Sequence, residues 1–339
     1  MAIAPKDTFS HKLEELGFEY HEIKMNNKGT DPFEDLKLIW DFYRLFQMIK
    51  PAATLHYTIK PNIYATLAAK MAGVPVINNV SGLGTVFLDD GLSSKIARRL
   101  YRFTFRFSKK AFFQNEQDMN LFIERGLVEA AKTDRLPGSG IDTKKYIPIK
   151  HAIDKEKIQF LFVARLLKDK GLFEYVDAAR KLKKKYPEVE FAVLGPFYPG
   201  NPTAVSEEAV SRWEREGSIR YLGETDNVES FIAKSDCVVL PSYREGLSRV
   251  LLEASIMARP IITTDVPGCQ ELVDVGSNGF VCKVKDACDL ADKMEKMLLL
   301  EDIERVNMGL HGRQKIMDEF DEQIVIDKYK EAIAAVLEK

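Results

Sequence analysis

Short, uninterrupted apolar runs alternate with amphipathic stretches along almost the whole chain. In the second half, the runs at 158–164, 189–195, 219–223, 237–240, 260–264 and 279–282 show little period-two alternation. Runs of this kind predict strands buried on both faces. Between them, 172–184, 206–216, 228–233, 247–258 and 287–299 place apolar residues every three or four positions, the helical period. The first half repeats the theme. Residues 2–6 read as the end of a strand, with further strands expected at 18–23, 53–58, 74–80 and 111–115. Helices are expected at 9–16, 34–49, 62–71, 92–107 and 116–125, with a last one at 323–337. Strand–helix alternation of this kind predicts an α/β protein built on parallel, doubly wound sheets. Leu136-Pro-Gly-Ser-Gly-Ile-Asp142 is turn-rich, so a domain boundary is expected between Asp142 and Lys155.

Length and composition fit this picture. A chain of 339 residues suits two domains, and 45% apolar with 29% charged residues is ordinary for a globular protein. A net charge of −2 argues against a general nucleic-acid binder. Cys237, Cys269, Cys282 and Cys288 show no C-x-x-C spacing and read as reduced thiols, pointing to a cytoplasmic protein. No apolar run approaches the roughly 20 residues of a membrane-spanning helix, and no signal peptide is recognised. Membrane contact is therefore expected to be peripheral.

One segment concentrates the chemistry. The strand at Cys237–Leu240 runs through Pro241 and Gly246 into a helix that carries Glu253, with Glu245 at the loop tip. A helix start offers unpaired N–H groups and the positive end of a dipole, so amides around Gly246, Leu247 and Ser248 suit a diphosphate. Glu253 suits the diol of a ribose, and Glu245 the hydroxyls of a sugar. Two glutamates separated by seven residues are by themselves ordinary. Pro241-Ser-x-x-Glu-Gly-x-Ser-x-x-x-x-Glu-Ala254, however, resembles the signature of family 4 retaining glycosyltransferases of GT-B architecture. Ala164-Arg165-x-x-x-x-Lys170-Gly171 resembles that family's Gly/Ala-Arg-x-x-x-x-Lys-Gly turn. Cations there suit a departing diphosphate.

The resemblance implies a GT-B fold of two Rossmann-like domains facing across a cleft. The acceptor domain would span 1–145, the nucleotide-sugar domain 146–318, and a helix at 319–339 would return to the first domain. It implies retaining transfer of a hexosyl group, most readily N-acetylated, from a UDP-sugar, with no metal or other cofactor. Glu245, Arg165 and Lys170 would be catalytic. Glu253, Gly246, Leu247, Ser248, Leu222 and Gly223 would bind the donor, the last two receiving the base. His56-Tyr-Thr-Ile-Lys-Pro-Asn62 and Val80-Ser-Gly-Leu-Gly84 resemble the branch that extends polyprenyl-diphosphate-linked sugars. That places Lys60, Asn62, Ser81, Gly82 and Gly84 toward a lipid-linked or other glycan acceptor. The family's first strand and glycine-rich turn have no counterpart here, so an incomplete first domain is expected.

The helix at 92–107 is singled out by charge. Leu92, Ile96, Leu100, Phe103 and Phe107 share one stripe, while Lys95, Arg98, Arg99, Arg102, Arg106, Lys109 and Lys110 bring seven cations and no acid. Such a helix is either a core helix with a solvated face or a docking element for the anionic inner face of the plasma membrane. Two rival readings of the chain stay open: a GT-B sugar-nucleotide epimerase, and a non-catalytic sugar-nucleotide or lipid-binding remnant.

Overall fold

A computed structural model describes residues 1–7, 9–26, 31–83, 92–148 and 157–338. The chain divides into two compact units, Met1–Arg135 with Asp327–Lys339, and Leu136–Ile326. In the first, β1 (Ala2–Ala4) and β2 (Tyr20–Glu22) pair in parallel, connected through α1 (Ser10–Glu15). A separate parallel sheet runs β3 (Thr54–Tyr57), β4 (Val76–Val80), β5 (Lys110–Phe113) and β6 (Thr133–Arg135) in chain order. Helix α2 (Pro32–Ile49) leads into β3, and the connections within the sheet carry α3 (Thr66–Ala72), α4 (Leu92–Thr104) and α5 (Glu116–Glu124). Among the described residues β1 and β3 do not pair with each other. A cavity of about 780 Å³ lies against both, lined by Ile3, Ala4, Phe42, Phe46, Leu55 and Lys60 among others.

Local chemistry explains the helix ends. Asp31 accepts the Phe33 N–H, Pro32 opens α2 where a missing N–H costs nothing, and Lys50 closes it in the left-handed region. Leu38, Phe42 and Phe46, four apart, bury one stripe of that helix. Against Phe46 stacks His56 of β3, with ring centroids 6.4 Å apart, and its Nδ1 meets Thr66 Oγ1 and Asn78 Oδ1. Burial, opposed in part by the Asn78 bond, lowers the His56 pKa from 6.5 to about 4. Between those values the unfolded chain binds a proton that the native imidazole refuses. Stability from this group is therefore full above pH 6.5 and falls as pH drops toward 4, by at most about 3 kcal/mol. Urea titrations between pH 7 and 4.5 should show that decline in the wild type and a shallower one in His56→Gln. Equal slopes would remove His56 from the account.

The apolar stripe expected on α4 is not its buried face. Ser94, Tyr101, Thr104 and the following Phe105 are buried, Tyr101 and Phe105 packing with Phe122 of α5. Ile96 and Phe103 lie about half exposed beside the exposed Lys95, Arg99, Arg102 and Arg106. Two large aromatic rings and two small hydroxyls fill the space under the helix; Leu100 still packs against this core, while Ile96 and Phe103 are turned outward. The side chain of Leu92 lies outside the described residues.

The second unit holds one six-stranded parallel sheet. In chain order its elements are β7 (Gln159–Val163), α6 (Leu172–Lys185), β8 (Glu190–Leu194), α7 (Glu207–Arg215), β9 (Arg220–Tyr221), α8 (Val228–Ile232) and β10 (Cys237–Leu240). Then follow α9 (Arg249–Ile256), β11 (Ile261–Thr264), β12 (Gly279–Cys282), α10 (Ala287–Leu298), α11 (Asp302–Glu319) and the first residues of α12 (Glu322–Leu337), the rest of which belongs to the first unit. Spatial order is β12-β11-β10-β7-β8-β9, so winding reverses between β7 and β10. In a doubly wound sheet ligands collect at the carboxyl ends of the strands at that reversal. All four residues of β10 are buried, as a central strand covered on both faces requires.

Helix α11 was not expected from the sequence. Gly309 and Gly312 interrupt its pattern, each costing a helix about 1 kcal/mol against alanine. The structure explains Gly309: a Cβ there would lie 2.0 Å from the Ala258 carbonyl oxygen, so only glycine lets α11 approach the end of α9. A legible sign was present, because Glu301 and Glu304 form a capping box.

The unit boundaries also differ from the expected 145/146 and 318/319. Residues 136–146 pack on the second unit: Ile141 donates to the Phe320 carbonyl, and Gly140 abuts Glu322. The first unit regains the chain only from Asp327, within α12.

Candidate active site

At the reversal between β7 and β10, both strands end in loops that carry charge. The turn after β7 bears Arg165 and Lys170. Gly171 follows with φ +76, a conformation glycine adopts freely, and a Cβ there would meet the Pro241 carbonyl at 2.0 Å. That contact draws the β7 turn against the β10 loop. Lys170 Nζ lies 2.5 Å from Glu245 Oε1, and both side chains are largely buried. Arg165 packs its guanidinium over the Tyr198 ring at 4.8 Å.

The β10 loop is held from beneath by the turn after β11. Glu245 N–H donates to the Pro267 carbonyl, Ser248 N–H donates to the Gly268 carbonyl, and Gly268 N–H is accepted by Glu271. Gly268 itself, at φ +79, sits where a Cβ would lie 2.4 Å from the Glu245 carbonyl oxygen. The nearby Cys269 thiol is pushed well up by burial and then by the Glu245 charge, so it stays protonated. The turn after β11 thus shapes the loop that carries the acid.

Helix α9 splits its faces. Leu251, Leu252, Ala254, Ser255 and Ile256 enter the core, while Arg249, Val250 and Glu253 border a cavity of about 390 Å³. Arg165, Lys170, Glu245, Leu247 and Ser248 line the same cavity. Glu253 Oε1 receives Arg249 Nε at 2.9 Å and the Tyr146 hydroxyl at 3.2 Å.

Not every expected donor residue comes here. The Ser248 amide is already paired with Gly268, while Leu247 borders the cavity and the first helical turn, Arg249 to Leu251, offers the amides that a helix start leaves for an anion. Gly246 shapes the loop but does not border the cavity. Leu222 and Gly223 do not border it either: Leu222 N–H pairs with Val193, and the Gly223 carbonyl receives Gly195 N–H. Their loop contributes Thr225 and Val228 instead. Those two, with Tyr146, Arg249 and Gly268, were missed from sequence. Arg249, one helical turn before Glu253, was legible as an i,i+4 ion pair.

The expected acceptor residues belong to the first unit. Lys60 pairs with Asp35 at 2.7 Å, and Tyr64 donates to the same carboxylate at 2.6 Å. Asn62 is 1% exposed and donates to the Asn79 carbonyl, which makes it a core residue rather than one facing open space. Ser81 and Gly82 follow β4 and are partly exposed. Gly84 lies outside the described residues. Among the described residues no helix is long and apolar enough to cross a membrane.

Comparison with known proteins decides the family. Residues 143–315 match the family model for glycosyl transferases group 1, and residues 2–115 match that for glycosyl transferase 4-like proteins. The chain is a group 1 glycosyltransferase. It is 29% identical over 344 aligned positions to the N,N'-diacetylbacillosaminyl-diphospho-undecaprenol alpha-1,3-N-acetylgalactosaminyltransferase of Campylobacter jejuni, covering 96% of this chain and 88% of that one. It is 24% identical to the Escherichia coli UDP-Gal:alpha-D-GlcNAc-diphosphoundecaprenol alpha-1,3-galactosyltransferase, covering 88% and 79%. Crystal structures of Anabaena Alr3699/HepE in complex with UDP and glucose and of a Rickettsia africae glycosyltransferase both superpose with TM-score 0.79. They are 20% and 16% identical, covering 96% and 99% of this chain and 89% of each structure. Those likenesses give this glycosyltransferase its GT-B fold.

Proposed function

We propose that this glycosyltransferase moves an N-acetylhexosaminyl group, with retention, from a UDP-sugar to a polyprenyl-diphosphate-linked sugar. One observation carries the donor half: Arg165, Lys170, Glu245, Glu253 and the first turn of α9 border a single cavity. Two cations and the helix amides suit the diphosphate, and Oε2 of Glu253, which has no hydrogen-bond partner among the described residues, suits the pentose. Glu245, whose Oε2 has no hydrogen-bond partner among the described residues, suits the transferred sugar. As the glycosidic bond breaks, electrons pass to the diphosphate oxygen, where Arg165 and Lys170 meet the developing charge. That oxygen then takes the acceptor hydroxyl's proton while the nucleophile attacks on the same face. The undecaprenol-linked substrates in the names of the Campylobacter jejuni and Escherichia coli relatives favour the lipid-linked acceptor.

A thermal-shift panel of nucleotides and nucleotide sugars tests this reading, since a ligand that binds the native state raises apparent stability. UDP and a UDP-N-acetylhexosamine should raise the midpoint most. Glu253→Ala should weaken UDP binding about tenfold or more, and Glu245→Ala should lower turnover at saturating donor. Wild-type values in both variants would contradict the assigned roles.

The outward face of α4 supports a membrane-surface role. Half-exposed Ile96 and Phe103 beside Lys95, Arg99, Arg102 and Arg106 suit an anionic lipid surface, near which each cation adds about 1 kcal/mol. Reversing Lys95, Arg99 and Arg106 to glutamate should lower binding to phosphatidylglycerol vesicles more than 100-fold, by loss of about 3 kcal/mol or more. Sedimentation with vesicles unchanged by the three reversals would reject this role.

A further inference from the structure

Glu253 is not a bare carboxylate waiting in the cavity. Its Oε1 is gripped by two donors, Arg249 Nε from one turn earlier on α9 and the Tyr146 hydroxyl, from a stretch 107 residues away. Arg249 is itself fixed at all three nitrogens. Nε holds Glu253, Nη1 donates to the Gly140 carbonyl at 2.9 Å, and Nη2 donates to the Tyr146 hydroxyl at 3.3 Å. A carboxylate only accepts, so the Tyr146 proton points to Glu253 and its oxygen lone pair takes the arginine hydrogen. Arg249 thus donates to both partners, Tyr146 relays one of those bonds onward, and both paths end on Glu253 Oε1.

The anchorage beneath is equally specific. Tyr146 is 3% exposed, and burial raises its hydroxyl above the ordinary range, so the proton it gives to Glu253 stays on it. Gly140, which receives Arg249, sits at φ +71, where a Cβ would lie 2.4 Å from the Glu322 Cα. The carbonyl that holds the arginine is therefore immobilised by the start of α12.

From this geometry we infer that Arg249 and Tyr146 are positioning residues that commit Glu253 Oε1 to the protein and leave Oε2 alone to read the ribose hydroxyls of the donor. The inference rests on the reading of Glu253 as the pentose ligand. It predicts selectivity for a ribose over a deoxyribose, set by residues that do not touch the sugar. A guanidinium fork supplies three separate bonds that a lysine ammonium in its place does not reproduce. The Tyr146 hydroxyl can be deleted with its ring retained.

Calorimetric titration with UDP and with 2′-deoxy-UDP separates positioning from general support. Wild type should bind UDP about tenfold or more tightly than 2′-deoxy-UDP, the scale of one hydrogen bond to a charged group. In Tyr146→Phe and Arg249→Lys, UDP should weaken while 2′-deoxy-UDP changes little, so the ratio narrows toward one. A preference retained in Tyr146→Phe, or equal weakening of both ligands, would overturn the positioning role while leaving Glu253 as ribose ligand. A wild type that does not distinguish the two ligands would remove the ribose reading and the inference with it. Should Arg249→Lys fail to fold, Tyr146→Phe decides alone, because it removes one oxygen and no packing.

Discussion

Lys170→Ala should lower kcat/KM for the UDP-sugar by about 10²–10³, with most of the loss in kcat, when initial rates of UDP release are measured. Lys170 is a point charge in a partly enclosed site, with its side chain 18% exposed and its partner Glu245 15% exposed. A charge there is worth more than one in open solvent, and the diphosphate gains negative charge only as the glycosidic bond breaks. The variant also leaves Glu245 without its 2.5 Å partner, so an acid assigned to orient the sugar acquires new freedom. Arginine is not expected to restore the rate, because its wide fork does not fit where a compact ammonium meets one carboxylate oxygen. A Lys170→Ala enzyme within threefold of wild type would remove the lysine from the charge-stabilising role.

The second large effect is steric. Gly268 and Gly276 both adopt left-handed backbone, at φ +79 and +82, yet their surroundings differ completely. A Cβ on Gly276 meets nothing within 4 Å, whereas one on Gly268 lands 2.4 Å from the Glu245 carbonyl oxygen and 2.6 Å from that of Gly246. Gly276→Ala should therefore cost only the left-handed strain, about 1–2 kcal/mol in a urea titration, with kcat/KM near wild type. Gly268→Ala carries the same strain and must also move the loop bearing Glu245. A displacement near 1 Å is enough to lower kcat/KM about 100-fold. If the two alanine variants behave alike in activity, the Gly268 turn does not position the acid.

The strands and the two charged turns were legible in the sequence because they follow from local rules. A central parallel strand reads as an unbroken apolar run, and Cys237 to Leu240 are all buried. The turns carry Gly171 and Gly246 beside charges, a pattern that chain chemistry alone makes conspicuous. What escaped was decided by distant contacts. The outward face of α4 follows from Tyr101 and Phe105 packing on Phe122, which no periodicity on α4 reveals. The two glycines of α11 argue against a helix until Gly309 is seen against Ala258. Tyr146 has no sequence signal at all: it lies in a turn-rich stretch, and its role appears only when that stretch packs against α9. Leu222 and Gly223 were placed by resemblance; they do not border the cavity, although Gly195, which donates to the Gly223 carbonyl, does.

Because winding reverses between β7 and β10, the pocket is stitched from stretches far apart along the chain: 75 residues separate Lys170 from Glu245, and 107 separate Tyr146 from Glu253. Closing such long loops is slow, so this pocket belongs to the late stages of folding, after neighbouring strands have docked. On the ribosome it cannot exist until α9 has emerged. A fragment of the second unit that stops before β10 would keep β7, β8 and β9 yet own none of the acidic half of the pocket.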